Sequence, residues 1–303
     1  MKDSLYAYMK PGLVHFKAYP EVMQGRNYVK TLESICEDDF WHVVEVGTVK
    51  DTRERDRARK LLEVSHMEVA YATQNTILSQ KLNPHHFDAG ERARVLKIIK
   101  NCVDEAYQLG AGYFRIMSGK DPGPEKREEA KKIFIDFLHE ICDYTKQNGD
   151  MIVTLKIFDH DVDKEALIGP FATAREVGLP VRDAHDNFGM LSDLSHFPLL
   201  REDMADAIPL IKDFFTHFHI GNCVKTKGHY LHGDLQPRFG VPGGDIDTEY
   251  LRDYFRVLLE HDLIGPDKRP FVSAEVRPLL AEETSALVIA NTKRVMREAW
   301  ALA

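Results

Sequence analysis

The sequence predicts an α/β fold, a single (β/α)8 TIM barrel that spans residues 1–303. Eight short apolar runs alternate with longer amphipathic segments from one end of the chain to the other, the pattern of parallel strands joined by helices. No break in composition and no Ser/Gly-rich linker divides the chain. A doubly wound sheet is the alternative for such alternation, but no GxGxxG follows the first strand, so a dinucleotide-binding sheet has little support.

The predicted strands are the apolar runs at residues 12–16, 42–47, 67–72, 113–118, 151–158, 189–193, 214–220 and 270–276. The predicted helices cover residues 26–36, 53–63, 91–109, 124–147, 164–177, 201–212, 248–260 and 282–300. The helix at 91–109 has the clearest apolar face, which includes Val95, Ile99 and Cys102. The helix at 124–147 opens with Pro124 and is followed by Asn148 and Gly149, which suit a helix start and stop.

The bulk composition limits the partners of the chain. A formal net charge of −8 and a pI near 6.0 argue against a nucleic-acid scaffold, because phosphate binding normally needs a basic face. No N-terminal segment resembles a signal peptide and no run of 18 apolar residues exists, so we expect a cytoplasmic protein without membrane contact. The four cysteines form no CxxC and are expected to be reduced thiols: Cys36, Cys102, Cys142 and Cys223.

Three successive apolar runs near the end of the chain terminate in metal-ligand residues. They supply Asp193, His219 and Glu275. Because the carboxyl ends of barrel strands converge on one face, these side chains are expected to meet there. A mixed oxygen and nitrogen site of this kind suits Mn²⁺, Mg²⁺, Co²⁺ or Zn²⁺, which would polarise a substrate carbonyl or bind vicinal hydroxyls. A single strand-end Asp or His is more often a loop hydrogen-bonder, but three on successive strands favour the site.

Four further residues are candidates for substrate contact. His196 follows Asp193 by three residues and points at a substrate hydroxyl or caps the following loop. The longest irregular stretch, residues 221–246, is rich in Gly and Pro and is expected to cover the barrel mouth. It carries Arg238, in a rigid turn that suits an anionic or polyol group, and Asn222; a solvated loop Arg is the alternative. His15 lies on the first predicted strand and is a weaker candidate.

The chain resembles the xylose-isomerase-like TIM barrels, a superfamily of sugar phosphate isomerases and epimerases that includes AP endonucleases. The resemblance runs through most of the chain and is carried by the segments at residues 159–170, 193–196, 217–223 and 233–244. It implies a divalent metal held by a Glu from the fifth strand, an Asp from the sixth, a His from the seventh and a Glu from the eighth. These positions are occupied by Lys156, Asp193, His219 and Glu275.

The chain departs from the family pattern at two positions. Lys156 stands where the family has a Glu, and Gln236 stands where related sequences often have a His. In the epimerases of the superfamily the two Glu ligands also exchange the substrate proton, so Glu275 is the remaining candidate base. Lys156 either disables the site, replaces part of the metal's positive charge, or has acquired chemistry of its own. Metal binding is accordingly expected to be weak or lost.

The resemblance implies an enzyme that isomerises or epimerises a small carbohydrate by abstracting a proton next to its carbonyl. A lyase that acts on oxidised glycosides, such as C-glycosides, uses the same step, and an obligate second subunit would favour it. A metal-free sugar-binding barrel without catalysis and a DNA-repair nuclease are the two competing functions. The acidic balance argues against the nuclease. Barrels of this kind often self-associate, so a homo-oligomer is also among the expectations.

Overall fold

The computed structural model describes residues 3–303 as a closed barrel of eight parallel strands in sequential order. Each strand pairs with its neighbours in sequence and the first pairs with the last, so the predicted (β/α)8 barrel is confirmed. The strands are β1 (Lys10–Val14), β2 (Val43–Val46), β3 (Glu68–Ala72), β4 (Ala111–Ile116), β5 (Ile152–Lys156), β6 (Phe188–Asp193), β7 (Phe215–Gly221) and β8 (Phe271–Glu275).

Eleven α-helices lie among the described residues. They are α1 (His15–Ala18), α2 (Tyr28–Cys36), α3 (Thr52–Ser65), α4 (Gln74–Ser79), α5 (Ala89–Gln108), α6 (Arg127–Asn148), α7 (Phe171–Ala184), α8 (His196–Leu200), α9 (Met204–Ile211), α10 (Thr248–Glu260) and α11 (Ser285–Leu302). Acidic side chains cap several helix starts: Asp51 accepts hydrogen bonds from backbone N–H groups at the start of α3, and Asp88 does so at α5.

The strands are buried on both faces because helices cover the outside of the barrel and side chains fill its interior. All four residues of β2 are buried, for example. Close packing leaves no room for a side chain at Gly12 of β1, since a Cβ there would lie 2.4 Å from Ser273 Oγ on β8. None of the helices in the described range is long and apolar enough to span a membrane.

The predicted helix at residues 164–177 is wrong at both ends. The structure has a loop as far as Pro170 and a helix, α7, from there to Ala184. Asp159 explains the late start, because its Oδ1 accepts hydrogen bonds from the backbone N–H groups of Val162, Asp163 and Lys164 and fixes a tight turn. At the other end the helix continues through Pro180, beyond the predicted last residue.

Three short helices were not predicted, and all of them follow a strand directly or within two residues. These are α1 after β1, α4 after β3 and α8 after β6. The first predicted strand is correspondingly too long, since β1 ends at Val14 and His15 already belongs to α1. Helices of four to six residues leave too short a pattern to be recognised in sequence. They matter because they place side chains at the carboxyl end of the barrel.

Candidate active site

Four ionisable side chains converge where the carboxyl ends of β5 to β8 meet, and we call them the central cluster. Lys156, Asp193 and Glu275 are the last residues of β5, β6 and β8, and His219 lies two residues before the end of β7. The strand register sets Asp193 directly beside His219. All four residues are buried. The barrel therefore brings together residues that are far apart in sequence.

The ammonium of Lys156 lies at the centre of this cluster. Its Nζ is 2.7 Å from Asp193 Oδ2, 2.6 Å from Glu275 Oε2 and 3.4 Å from His219 Nδ1. Burial acts to lower the pKa of Lys156, but the negative charges of Asp193 and Glu275 outweigh burial and hold that pKa above its ordinary value. Lys156 therefore keeps its proton and bridges two carboxylates as a cation.

Asp193, His219 and Glu275 form a group that can hold a metal ion, since their ligand atoms lie within 4.8 Å of one another. The predicted convergence of these three strand ends is thus present. A divalent cation among them would, however, meet the ammonium of Lys156. At a separation of about 4 Å that repulsion amounts to several kcal/mol even with strong effective screening. With Lys156 in this position, the three ligands do not fit a divalent metal ion in addition to the ammonium.

Glu45 of β2 and Arg115 of β4 extend the charged network. In the sequence, Glu45 is only a weak candidate on a predicted strand, and Arg115 is not a candidate. Glu45 Oε2 is 2.7 Å from His219 Nε2, and Glu45 Oε1 is 2.6 Å from Arg115 Nη1. Arg115 Nη2 in turn donates to Gln74 Oε1 of α4 at 3.1 Å. Burial acts to raise the pKa of Glu45, but Arg115 and His219 lower it to about 2. Glu45 is therefore ionised.

Glu45 also belongs to a second group of potential ligands, together with His217 and His219. His217 Nε2 shares a 2.8 Å hydrogen bond with Ser273 Oγ, and burial holds the pKa of His217 well below its ordinary value. The guanidinium of Arg115 lies against Glu45 in this second group. The ammonium of Lys156 has the same position in the first group, where it lies against Asp193 and Glu275. A fixed cation thus accompanies both candidate metal groups.

Lys17 of α1 adds a third cation to the network. Its Nζ is 2.8 Å from Glu275 Oε1, the carboxylate oxygen that Lys156 does not contact at close range. Burial acts to raise the pKa of Glu275, yet Lys156 and Lys17 hold it well below its ordinary value. Lys17, Arg115 and Lys156 thereby balance the charges of Glu45, Asp193 and Glu275. The buried charges are compensated by side chains alone.

The loop after β7 lies over the central cluster, as the sequence predicts, but Gln236 rather than Arg238 reaches it. Gln236 is buried, and its Nε2 is 3.4 Å from Asp193 Oδ2 and donates to Asp234 Oδ1 at 2.6 Å. Asp234 is paired with Lys164 Nζ at 3.0 Å, which ties the loop to the segment after β5. Gln236 adopts a φ of 60°, the left-handed region that few residues other than glycine occupy.

Arg238 and Asn222, the predicted substrate contacts of this loop, are engaged within the loop and its surroundings. The Nε of Arg238 donates to Glu283 Oε1 at 2.9 Å. Asn222 donates through Nδ2 to the carbonyl oxygen of Arg238 at 3.0 Å and accepts the backbone N–H of Ile246 at 2.8 Å. The hydrogen bond between Asn222 and Ile246 joins the two ends of the loop. In this conformation the structure does not bring either side chain into the central cluster.

His196 and His15 are both buried but have different surroundings. His196 begins α8, its ring lies against Phe158, and its Nε2 is 3.9 Å from Asp193 Oδ2. Neither ring nitrogen of His196 has a hydrogen-bond partner among the described residues. His15 Nε2 instead shares a 2.8 Å hydrogen bond with Thr31 of α2, and burial lowers the pKa of His15 to about 3. His196 thus keeps free polar atoms beside the cluster, whereas His15 joins α1 to α2.

The space above the cluster is small in this conformation. The gaps between the side chains add up to about 120 Å³, but none of them is wide enough to admit a water molecule. Its lining combines polar and apolar side chains from three strand ends and α4: Gln74, Arg115, Ile116, Met117, Lys156 and Phe158. A substrate can reach the ammonium of Lys156 from this side only if the surrounding side chains or loops move apart.

The chain belongs to the xylose isomerase-like TIM barrel family, whose profile matches residues 39–266. A search of curated protein sequences finds no match. Among solved structures, the chain is similar to the IolI protein with a bound zinc atom, at 18% identity and a TM-score of 0.73, covering 96% of this chain and 98% of that one.

Two further solved structures are similar to the chain. One is a 3-keto-D-glucoside 4-epimerase from E. coli, at 15% identity and a TM-score of 0.68, covering 95% of this chain and 99% of that one. The other is a family 2 AP endonuclease from Brucella melitensis, at 16% identity and a TM-score of 0.68, covering 94% and 99%. At these identities the similarity shows a shared fold.

Proposed function

We propose that this protein is a carbohydrate isomerase or epimerase-type enzyme in which the ammonium of Lys156 replaces a divalent metal. The observation that carries the proposal is the position of Lys156 Nζ, which lies 2.6–2.7 Å from two of the three potential metal ligands, Asp193 and Glu275. The family membership and the sugar epimerases among the similar structures support a small carbohydrate as the substrate.

The proposed chemistry starts with abstraction of a proton from the carbon next to a sugar carbonyl. The carbonyl oxygen then gains negative charge, and the buried ammonium of Lys156 stabilises it electrostatically. Glu275 is ionised and is the candidate base. Its Oε2 is held by Lys156 and His219 and its Oε1 is paired with Lys17, so Lys17 has to move away before Oε1 can accept the proton. A lysine at position 156 cannot serve as a second carboxylate base. The site therefore favours one-base isomerisation or elimination over two-base epimerisation.

His196 is the proposed contact for a substrate hydroxyl, because its two unpartnered ring nitrogens lie beside the cluster. Burying polar atoms without a partner is unfavourable, so a hydroxyl that bonds to them would gain binding energy. Arg238 and Asn222 remain proposals as substrate contacts and require a different loop conformation. His15 also remains a proposal: its Nε2 is bonded to Thr31, and its Nδ1 has no hydrogen-bond partner among the described residues.

The proposal is tested by metal analysis of the purified protein and by assays on a panel of ketoses and keto-glycosides, with and without EDTA. We expect an activity that EDTA does not change, so that any metal in the purified protein can be removed without loss of activity. Lys156→Met should lower kcat by about 10²–10³-fold, the usual cost of removing one electrostatic stabiliser. Lys225→Met is the matched control, because Lys225 is an exposed lysine on the loop after β7.

Lys156→Glu supplies the reverse test. It recreates the carboxylate that the family resemblance implies at this position, and we expect it to bind about one more equivalent of divalent metal than the unaltered protein. Stoichiometric metal in the unaltered protein, together with activity that EDTA abolishes, would overturn the role of the ammonium.

A carbohydrate-binding barrel without catalysis is the second candidate. One observation favours it, namely that the buried charges already compensate one another. Binding of a sugar without turnover of any panel member would support this candidate over the enzyme.

A further inference from the structure

A pair of histidines at the opposite end of the barrel has the arrangement of a metal site. His139 lies on α6, and His185 is the residue that ends α7, three positions before β6 begins. Their nitrogens, Nδ1 of His139 and Nε2 of His185, are 2.8 Å apart. Since α6 and α7 run back to the amino ends of β5 and β6, this pair is remote from the central cluster.

The two nitrogens already face one another at close to the spacing that a metal requires. Two ligands of a tetrahedral zinc ion, at about 2.0–2.1 Å from the metal, are separated by roughly 3.3 Å. His139 Nδ1 and His185 Nε2 would have to move apart by only about 0.5 Å, a small rotation of two rings. The hydrogen bond between them contains one proton, and a metal ion that binds both nitrogens requires this proton to move, through solvent, to the other nitrogen of the same ring.

Asp143 provides the second observation. It follows His139 by one helical turn, and its Oδ1 is 3.6 Å from Nδ1 of His185, the ring nitrogen that does not face His139. A carboxylate beside the second nitrogen of a histidine favours the tautomer whose other nitrogen is free to bind a metal. The Asp143 side chain is 66% exposed and that of His185 is 11% exposed, so the carboxylate edge of the site is in contact with solvent.

We propose that His139 and His185 bind a divalent ion of the zinc class, with Asp143 orienting His185 and water in the remaining positions. Imidazole ligands select Zn²⁺, Cu²⁺, Ni²⁺ or Co²⁺ over Mg²⁺ and Ca²⁺. The bound ion would join α6 to α7 and stabilise the fold at the end of the barrel where catalysis does not occur. This site is independent of the function proposed for the central cluster.

Zinc alone is the probe that tests the proposal. We expect the unaltered protein to retain about one equivalent of Zn²⁺ after equilibrium dialysis, and its Tm to rise by about 4 °C at roughly 100 times the Kd. The double variant His139→Gln, His185→Gln should lose both the equivalent and the shift in Tm. His261→Gln is the matched control, because His261 ends α10 as His185 ends α7, and it should behave like the unaltered protein.

Three results would overturn the proposal. They are the absence of zinc binding by the unaltered protein, an equal zinc content in the double variant, and a zinc-induced shift in Tm that the double variant retains. If circular dichroism shows that the double variant does not fold, Cu²⁺ added to the unaltered protein decides the question. Electron paramagnetic resonance with coupling to two imidazole nitrogens supports the site, and a spectrum without that coupling rejects it.

Discussion

Replacement of Lys156 by Met is expected to destabilise the protein strongly and to make its stability depend on metal. Methionine preserves much of the apolar stem of the lysine, so the change chiefly removes the ammonium. Asp193 and Glu275 then remain buried without the cation that lies 2.7 and 2.6 Å from them. The remaining cations of the network, Lys17 and Arg115, lie against Glu275 and leave Asp193 without a close positive partner of its own.

The size of the effect follows from the burial of all three groups. Each contact contributes about 6 kcal/mol of attraction at these distances with an effective dielectric constant of about 20. Most of this attraction is offset by the cost of removing the charges from water, but that cost persists for the carboxylates when Lys156 is lost. We therefore expect a loss of about 3–5 kcal/mol in the free energy of unfolding, the range found when one partner of a buried ion pair is removed.

Urea unfolding followed by circular dichroism measures this loss, with and without millimolar Mn²⁺ or Zn²⁺. The metal should raise the urea midpoint of Lys156→Met by more than it raises that of the unaltered protein, because only the variant can bind it with Asp193, His219 and Glu275. Lys225→Met, at an exposed position, should change the free energy by less than about 0.5 kcal/mol. A loss below about 1 kcal/mol in Lys156→Met would refute the reasoning, since the ammonium would then not compensate the carboxylates.

Three further outcomes are expected. Because the pKa of Glu45 is lowered to about 2, its contribution to stability is present above pH 4.5 and is lost as the pH falls toward 2; Glu45→Gln should remove that part of the acid dependence in pH-dependent unfolding curves. Gly221→Ala should lower the free energy of unfolding, measured in urea, by about 1–3 kcal/mol. The reason is that a Cβ would lie 2.0 Å from Gln236 Oε1 and 2.8 Å from a backbone carbonyl oxygen of β8. An unchanged free energy would mean that Gln236 moves aside. Arg238→Ala and Glu283→Ala should have similar effects on the affinity for a sugar ligand, measured by calorimetry, because the two side chains form one contact. A loss of affinity in Arg238→Ala alone would indicate that Arg238 binds the substrate directly.

The barrel was predictable because its signals are repetitive. Each of the eight predicted strands overlaps an observed one, and an apolar run such as Val43–Val46 between amphipathic helices has few other interpretations. Local side-chain hydrogen bonds were harder to predict. Asp159 fixes the turn that delays α7, and nothing in the sequence distinguishes it from an aspartate in a solvated loop.

The site was predictable at the strand ends and less so within the strands. Asp193, His219 and Glu275 stand out because a polar ligand follows an apolar run, and their convergence follows from the barrel. Glu45 and Arg115 are single charges inside otherwise apolar strands. That pattern indicates a buried ion pair, because burying an isolated charge is too costly. It does not identify which residue across the barrel is the partner. Their pairing required the structure.

A cation that is part of the chain has a consequence for the cellular conditions under which the site persists. A bound divalent ion exchanges with its surroundings, so such a site depends on supply and can be filled by a more competitive metal such as Cu²⁺. The Lys156 ammonium is covalently part of the chain, so it cannot dissociate or be removed by a chelator. A competing metal ion can take its place only by breaking its two buried contacts with Asp193 and Glu275. On the proposal that this ammonium replaces a metal, the centre of the barrel depends neither on metal supply nor on the insertion of the correct metal.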